Sequence, residues 1–235
     1  GLVRKIESFD ELSLTAGEWT SSKEILGSYI SDPVLIDMLF CPLMYYGNAL
    51  ERDMDFYQFV IMFKSIFMEG FAKPVGGMLY ILNLLVDKYK SLGGELRMSA
   101  EVEFINSEKG IFKSLTLVGG EELAAVSLIS SMGRIETLRR CDPNLTEGVS
   151  NDSEGQISFM ESLFALDREP KDLGYCRSII FFCTDYQFRY EVPKDFIDIS
   201  SGVLCCPNNF QYPKPLLEGM IRLTNLASFR LWDAL

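Results

Sequence analysis

The side chains in this sequence that could do chemistry are carboxylates, thiols, hydroxyls and a glycine pair, because histidine is absent. That absence removes every mechanism built on an imidazole base and most zinc and haem sites. Carboxylates stand close together at Asp53/Asp55, Glu101/Glu103 and Glu121-Glu122. Such pairs can run acid–base catalysis, but the plainer reading is a solvated strand or helix face. The six cysteines, Cys41, Cys141, Cys176, Cys183, Cys205 and Cys206, include no CxxC pair. With no secretory signal in view, buried free thiols are expected rather than disulfides. Gly76-Gly77 could let a backbone or a ligand approach a helix start closely; alone, the pair reads as a tight turn. No G-x-G-x-x-G, Walker, HExxH, EF-hand or G-x-S-x-G motif occurs. The sequence therefore nominates no catalytic residue and no metal site.

A chain of 235 residues with 22 basic and 33 acidic side chains has a formal charge of −11. That sign opposes general binding to nucleic-acid phosphates. Hydrophobic residues make up 48%, and a chain this long can bury roughly 70–75% of its unfolded surface. No apolar run reaches the ~20 residues of a bilayer crossing, so a cytoplasmic protein is expected.

Positioning begins with helices. Ser21 or Ser22 can cap a short one, with Glu24 in its first turn. Asp32-Pro33 pairs an N-cap with a proline at the first helical position, and the helix is expected to stop at Gly47. Leu35, Ile36, Leu39, Phe40 and Leu43 give its apolar spacing. A third helix, rich in Phe and Met, is expected over 54–71, ended by Gly70. Tyr45, Tyr46, Phe56, Phe59, Phe63, Phe67 and Met68 then form either plain core or the wall of an apolar ligand site. A fourth amphipathic helix follows Pro74–Met78, with Met78, Leu82, Leu85, Val86 and Tyr89 on one face, and stops at Gly93-Gly94.

Beyond Gly94 the period becomes alternating: Leu96, Met98, Ala100, Val102 and Phe104 predict a strand. Further strands are expected over 111–118 and 122–130, completing an antiparallel meander with turns at 107–110 and Gly119-Gly120. A loop is expected over 142–155. Strands are then expected over 157–165, 176–184, 202–206 and 220–226, with a proline-containing loop at 207–215. The class is α+β, with helices packed on a mixed, largely antiparallel sheet plus a helix and a three-stranded meander.

The order Pro74-x-Gly76-Gly77-Met78, amphipathic helix, Gly93-Gly94-Glu95-Leu96-Arg97, Val102-x-x-Ile105, Gly119-Gly120-Glu121 and Leu128-Ile129-Ser130-Ser131 resembles FAD-dependent oxidoreductases. The branch is that of the amine oxidases and phytoene desaturases, including carotenoid desaturases and retinol saturase. Tyr29-Ile30-x-Asp32-Pro33 and the stretch from Gly219 to Ala227 with Trp232 are similar to that branch as well. The resemblance implies a middle piece of such an enzyme, without the N-terminal G-x-G-x-x-G unit and without the C-terminal flavin segment. Its implied divisions are 1–73, the helical part of a substrate domain; 74–135, a helix and meander contributing to the FAD domain; and 136–235, the sheet of the substrate domain.

By the same resemblance, Val102, Ser130 and Ser131 would lie against FAD, and Tyr46, Phe63, Phe67, Met68, Gly76 and Gly77 against the substrate. The substrate would be apolar, a polyene or isoprenoid, exchanging hydride with flavin. FAD is expected in the parent chain, not in this piece alone. The implied partners are that substrate and the absent FAD domain, with peripheral membrane contact because such substrates reside in lipid. On the residues alone, a non-catalytic lipid-binding domain and a protein-interaction domain stay open. The first reading also predicts an exposed apolar face.

Overall fold

A computed structural model describes residues 1–8, 19–48, 50–141 and 157–235. In chain order the helices are α1 (Leu2–Glu7), α2 (Ser22–Gly27), α3 (Pro33–Gly47), α4 (Phe56–Phe63), α5 (Met78–Ser91), α6 (Arg134–Arg139) and α7 (Phe229–Asp233). The strands are β1 (Val102–Glu108), β2 (Ile111–Leu117), β3 (Glu122–Ala124), β4 (Ile157–Leu166), β5 (Ile179–Cys183), β6 (Ser201–Cys205) and β7 (Gly219–Ser228). They form one three-stranded and one four-stranded sheet, both antiparallel, so the class is α+β. The expected loop over 142–155 lies outside the described residues. Two compact units emerge: Gly1–Leu82 with Gln156–Leu235, and Asn83–Gly155.

In the first unit, local chemistry starts each helix. Ser21 Oγ accepts from the Glu24 N–H at 3.1 Å, Asp32 Oδ1 from Val34 N–H at 2.9 Å, and Asp55 Oδ1 from Tyr57 N–H at 2.9 Å. Pro33 takes the first helical position of α3. The core gathers Phe40, Leu43 and Met44 of α3 with Phe59 and Val60 of α4, Leu26, Ile6, Tyr190 and Leu226. Leu35, expected on the apolar face of α3, is exposed, because only the C-terminal half of that helix is buried. The sheet runs β4-β7-β6-β5. β4 and β7 pair along their whole length, from Ile157 opposite Ser228 to Leu166 opposite Gly219.

The second unit holds the meander β1-β2-β3. Lys109 and Gly110 both take positive φ in the β1–β2 turn, as tight hairpins require. One face is polar and cross-bonded: Asn106 donates to Ser114 and Thr116, and Ser114 to Glu122. Ile105 and Leu117 are buried among the other side chains.

Strand β5 covers only Ile179–Cys183 of the expected 176–184, and two strands of the meander fall short as well. β1 starts at Val102 rather than Leu96: Ser99 sits at φ 54°, which breaks the extended run, and Arg97 clamps Glu121 through paired N–H donors at 3.0 Å. β3 ends at Ala124, and Val126 and Ile129 stand fully exposed without a described strand to pair with. Helix α5 forms as expected, but its apolar face is not covered: Met78, Leu82, Leu85 and Tyr89 are 50–62% exposed. Among the described residues no helix is long and apolar enough to cross a membrane.

Candidate functional site

The aromatic residues of α4 and the turn after it line up because helical spacing puts positions three and four apart on one face. Phe56 lies 6.1 Å from Phe59, Phe59 lies 5.6 Å from Phe63, and Phe63 lies 5.0 Å from Phe67, centroid to centroid. Phe40 of α3 joins at 5.5 Å from Phe59. The string runs outward: Phe59 is fully buried, Phe63 half-buried, Phe67 exposed. After Phe63 the helix widens into a π-helical segment, Lys64–Glu69, which ends at Gly70 with φ 83°. Such segments are rare and concentrate at functional sites. Phe67 and Met68 lie within it, both exposed.

The strand register assigns a sheet face to the same helices. Cys183 and Ser201 are partners, and Phe159 pairs with Leu226; Cys183 and Leu226 belong to the helix-packed core. Two residues further along each strand come Phe181, Val203, Thr224 and Glu161, then Ile179, Cys205, Arg222 and Leu163. Side chains at alternate positions share a face, so these rows extend it. Tyr46, the penultimate residue of α3, packs at 4.9 Å from Phe71 and 5.7 Å from Phe181. Arg222 Nε donates to Glu161 Oε1 at 2.7 Å.

Lys73 reaches over the ring of Tyr212 at 3.7 Å, with Phe210 at 5.4 Å. Its Nζ is buried and makes no hydrogen bond to the described residues. Burial pushes the Cys205 thiol upward in pKa, against the pull of Arg222 and Lys73, with Glu161 adding to the rise. Burial likewise raises Tyr46, with the neighbouring Cys205 adding to it.

A polar cluster sits beside this face. Tyr45 Oη and Ser201 Oγ are 3.0 Å apart, Ser201 Oγ donates to Asp198 Oδ2 at 2.6 Å, and Ser200 Oγ donates to Asp198 Oδ1 at 2.7 Å. Asn225 Nδ2 donates to the carbonyls of Asp198 and Ser201 at 2.9 and 2.8 Å. All of its donors are engaged with protein groups, which is the pattern of a structural lock.

The residues singled out from sequence therefore divide. Phe63 contacts Phe67, and Tyr46 meets the sheet through Phe181. Gly76 and Gly77 lie in a turn closed by the Gly77 N–H on the Pro74 carbonyl at 2.8 Å, with Gly77 at φ 73°. A Cβ on Gly76 would touch Tyr80 at 3.1 Å, so this glycine leaves room for that ring. Val102 opens β1 beside a register irregularity, and Ser130 Oγ is 2.6 Å from Thr137 Oγ1. These positions and the exposed Ser131 belong to the second unit.

Lys73, Arg222 and Tyr212 were missed by sequence reasoning, because only the fold brings the loop after β6 to the segment before Pro74. Three open clefts are lined by other residues: about 260 Å³ in the loop from Asp185 to Ser200, about 510 Å³ between Ala165–Glu169 and Leu216–Gly219, and about 360 Å³ by Lys23, Arg52 and Gln187–Glu191. No protein-family model, curated protein or solved structure matches the chain.

Proposed function

We infer that the chain is the substrate-binding part of an FAD-dependent oxidoreductase of the amine oxidase and phytoene desaturase kind, moving hydride between flavin and an apolar polyene or isoprenoid substrate. The carrying observation is the succession of the Pro74–Gly77 turn, the half-exposed apolar helix α5 and the meander β1-β2-β3, in the order that the resemblance implies. The aromatic string from Phe59 to Phe67 and the Tyr46–Phe71–Phe181 cluster supply an apolar surface on which a substrate with few polar groups can be held. Hydride chemistry is the flavin's own when it is bound. Of this chain's residues, Val102, Ser130 and Ser131 would touch the cofactor, whereas the string and the Tyr46 cluster exclude water from the substrate. The open reading frame that encodes this chain, purified whole, is expected to carry flavin with its visible absorption bands. A colourless whole protein that takes up no FAD on reconstitution overturns the reading.

A further inference from the structure

We propose that Lys73 receives the anionic end of the bound molecule, so that the ligand on this sheet face is a long apolar chain with a terminal carboxylate. The inference rests on the apolar-substrate reading above and narrows it. An ammonium taken out of water is costly unless it is paired, and Lys73 Nζ is buried with no hydrogen-bond partner among the described residues. The rings of Tyr212 and Phe210 stabilise its charge through their faces. A ring face fills none of the ammonium's N–H donors in the way an oxygen does. The carboxylate on the adjoining sheet rows, Glu161, is held by Arg222.

The first turn of α5, which follows Lys73 through the Pro74–Gly77 turn, carries no acidic residue. An acceptor from outside the chain is what this ammonium lacks. The neighbouring surface sets the rest of the ligand. Tyr46, Phe71 and Phe181 cluster against the sheet face, and Leu163 in the Arg222 row is exposed. One unpaired ammonium balances one carboxylate. A phosphate dianion would call for a second free cation, and the neighbouring guanidinium is already paired.

The test uses the 235-residue chain and two fluorescent probes, parinaric acid and its methyl ester. The acid is expected to bind about tenfold or more tightly than the ester, the scale of a charge-assisted hydrogen bond. Lys73→Met should remove that preference by weakening the acid alone, and Lys73→Arg should keep most of it. Equal binding of acid and ester to the unaltered chain overturns the inference while leaving the apolar-substrate reading in place. Retention of the preference in Lys73→Met also overturns it. Failure of both probes to bind removes the apolar-substrate reading and this inference with it. Displacement of the acid by inorganic phosphate but not by octanoate assigns a phosphate site and overturns the carboxylate.

Discussion

Burial holds several ionisable side chains of the first unit in their neutral forms. It pushes the Cys41 thiol up to about 12 from 9.0, with Cys183 and Asp37 adding to the rise, and the Tyr190 phenol up to about 12 from 10.0. The unfolded chain releases these protons earlier than the folded one. Their stabilisation is therefore complete below about pH 9 and is lost as pH rises toward 12. Urea unfolding is expected to report a stability that falls above pH 9, by up to about 1.4 kcal/mol per pH unit for each such group. Cys41→Ala should flatten the first part of that fall; an unchanged slope would show that the thiol stays solvated. The Tyr45–Ser201–Asp198 cluster makes a separate prediction. Ser201→Ala removes the partner of the Tyr45 hydroxyl and a donor to Asp198, at a cost of about 1–3 kcal/mol in chemical denaturation. Tyr45→Phe should cost less, because Ser201 keeps its bond to Asp198.

At the scale of elements, the end of the long β4–β7 ladder depends on one missing methyl group. Gly219 faces Leu166 across the pair, and a Cβ there would run into the carbonyl oxygen of Arg168. Gly219→Ala is expected to force the strand ends apart and cost about 1–3 kcal/mol. Gly27→Ala at the end of α2, where nothing lies within 4 Å, should be neutral or slightly stabilising; urea melts of the two variants provide the comparison. The starts of α2 and α3 were legible in the sequence because a cap acts over two or three residues: Ser21 and Asp32 each accept from an N–H that close, whereas the Asp55 cap of α4 was not singled out and α1, α6 and α7 were not expected. The four strands of the large sheet were legible for a similar reason, as short apolar runs between turn residues. Strand ends were not. The alternation from Leu96 to Phe104 carried no trace of the positive φ at Ser99 or of the Arg97–Glu121 clamp, which together delay β1 to Val102. In the candidate site, Phe63 and Phe67 were readable as a helical stripe. Lys73 over Tyr212 was not, because that contact joins segments far apart in the chain and leaves no period in either.

At the scale of the molecule, α5 begins in one compact unit and ends in the other, and none of its residues is buried. An apolar helix left in water attracts hydrophobic partners, while a net charge of −11 opposes self-association at neutral pH. The chain is therefore expected to bind a fluorescent hydrophobic dye such as ANS strongly while keeping the near-UV circular dichroism of fixed aromatic packing. That combination separates an exposed native stripe from a molten state, in which the near-UV signal is lost. Leu82→Glu combined with Leu85→Lys keeps good helix formers in α5 and should lower dye binding without changing the near-UV spectrum. Under the flavoprotein reading, the whole flavin-loaded protein should bind less dye per molecule than the 235-residue chain, because its cofactor domain would cover the same stripe. Equal dye binding by both would mean that the stripe remains in water when flavin is present and is not what a cofactor domain covers.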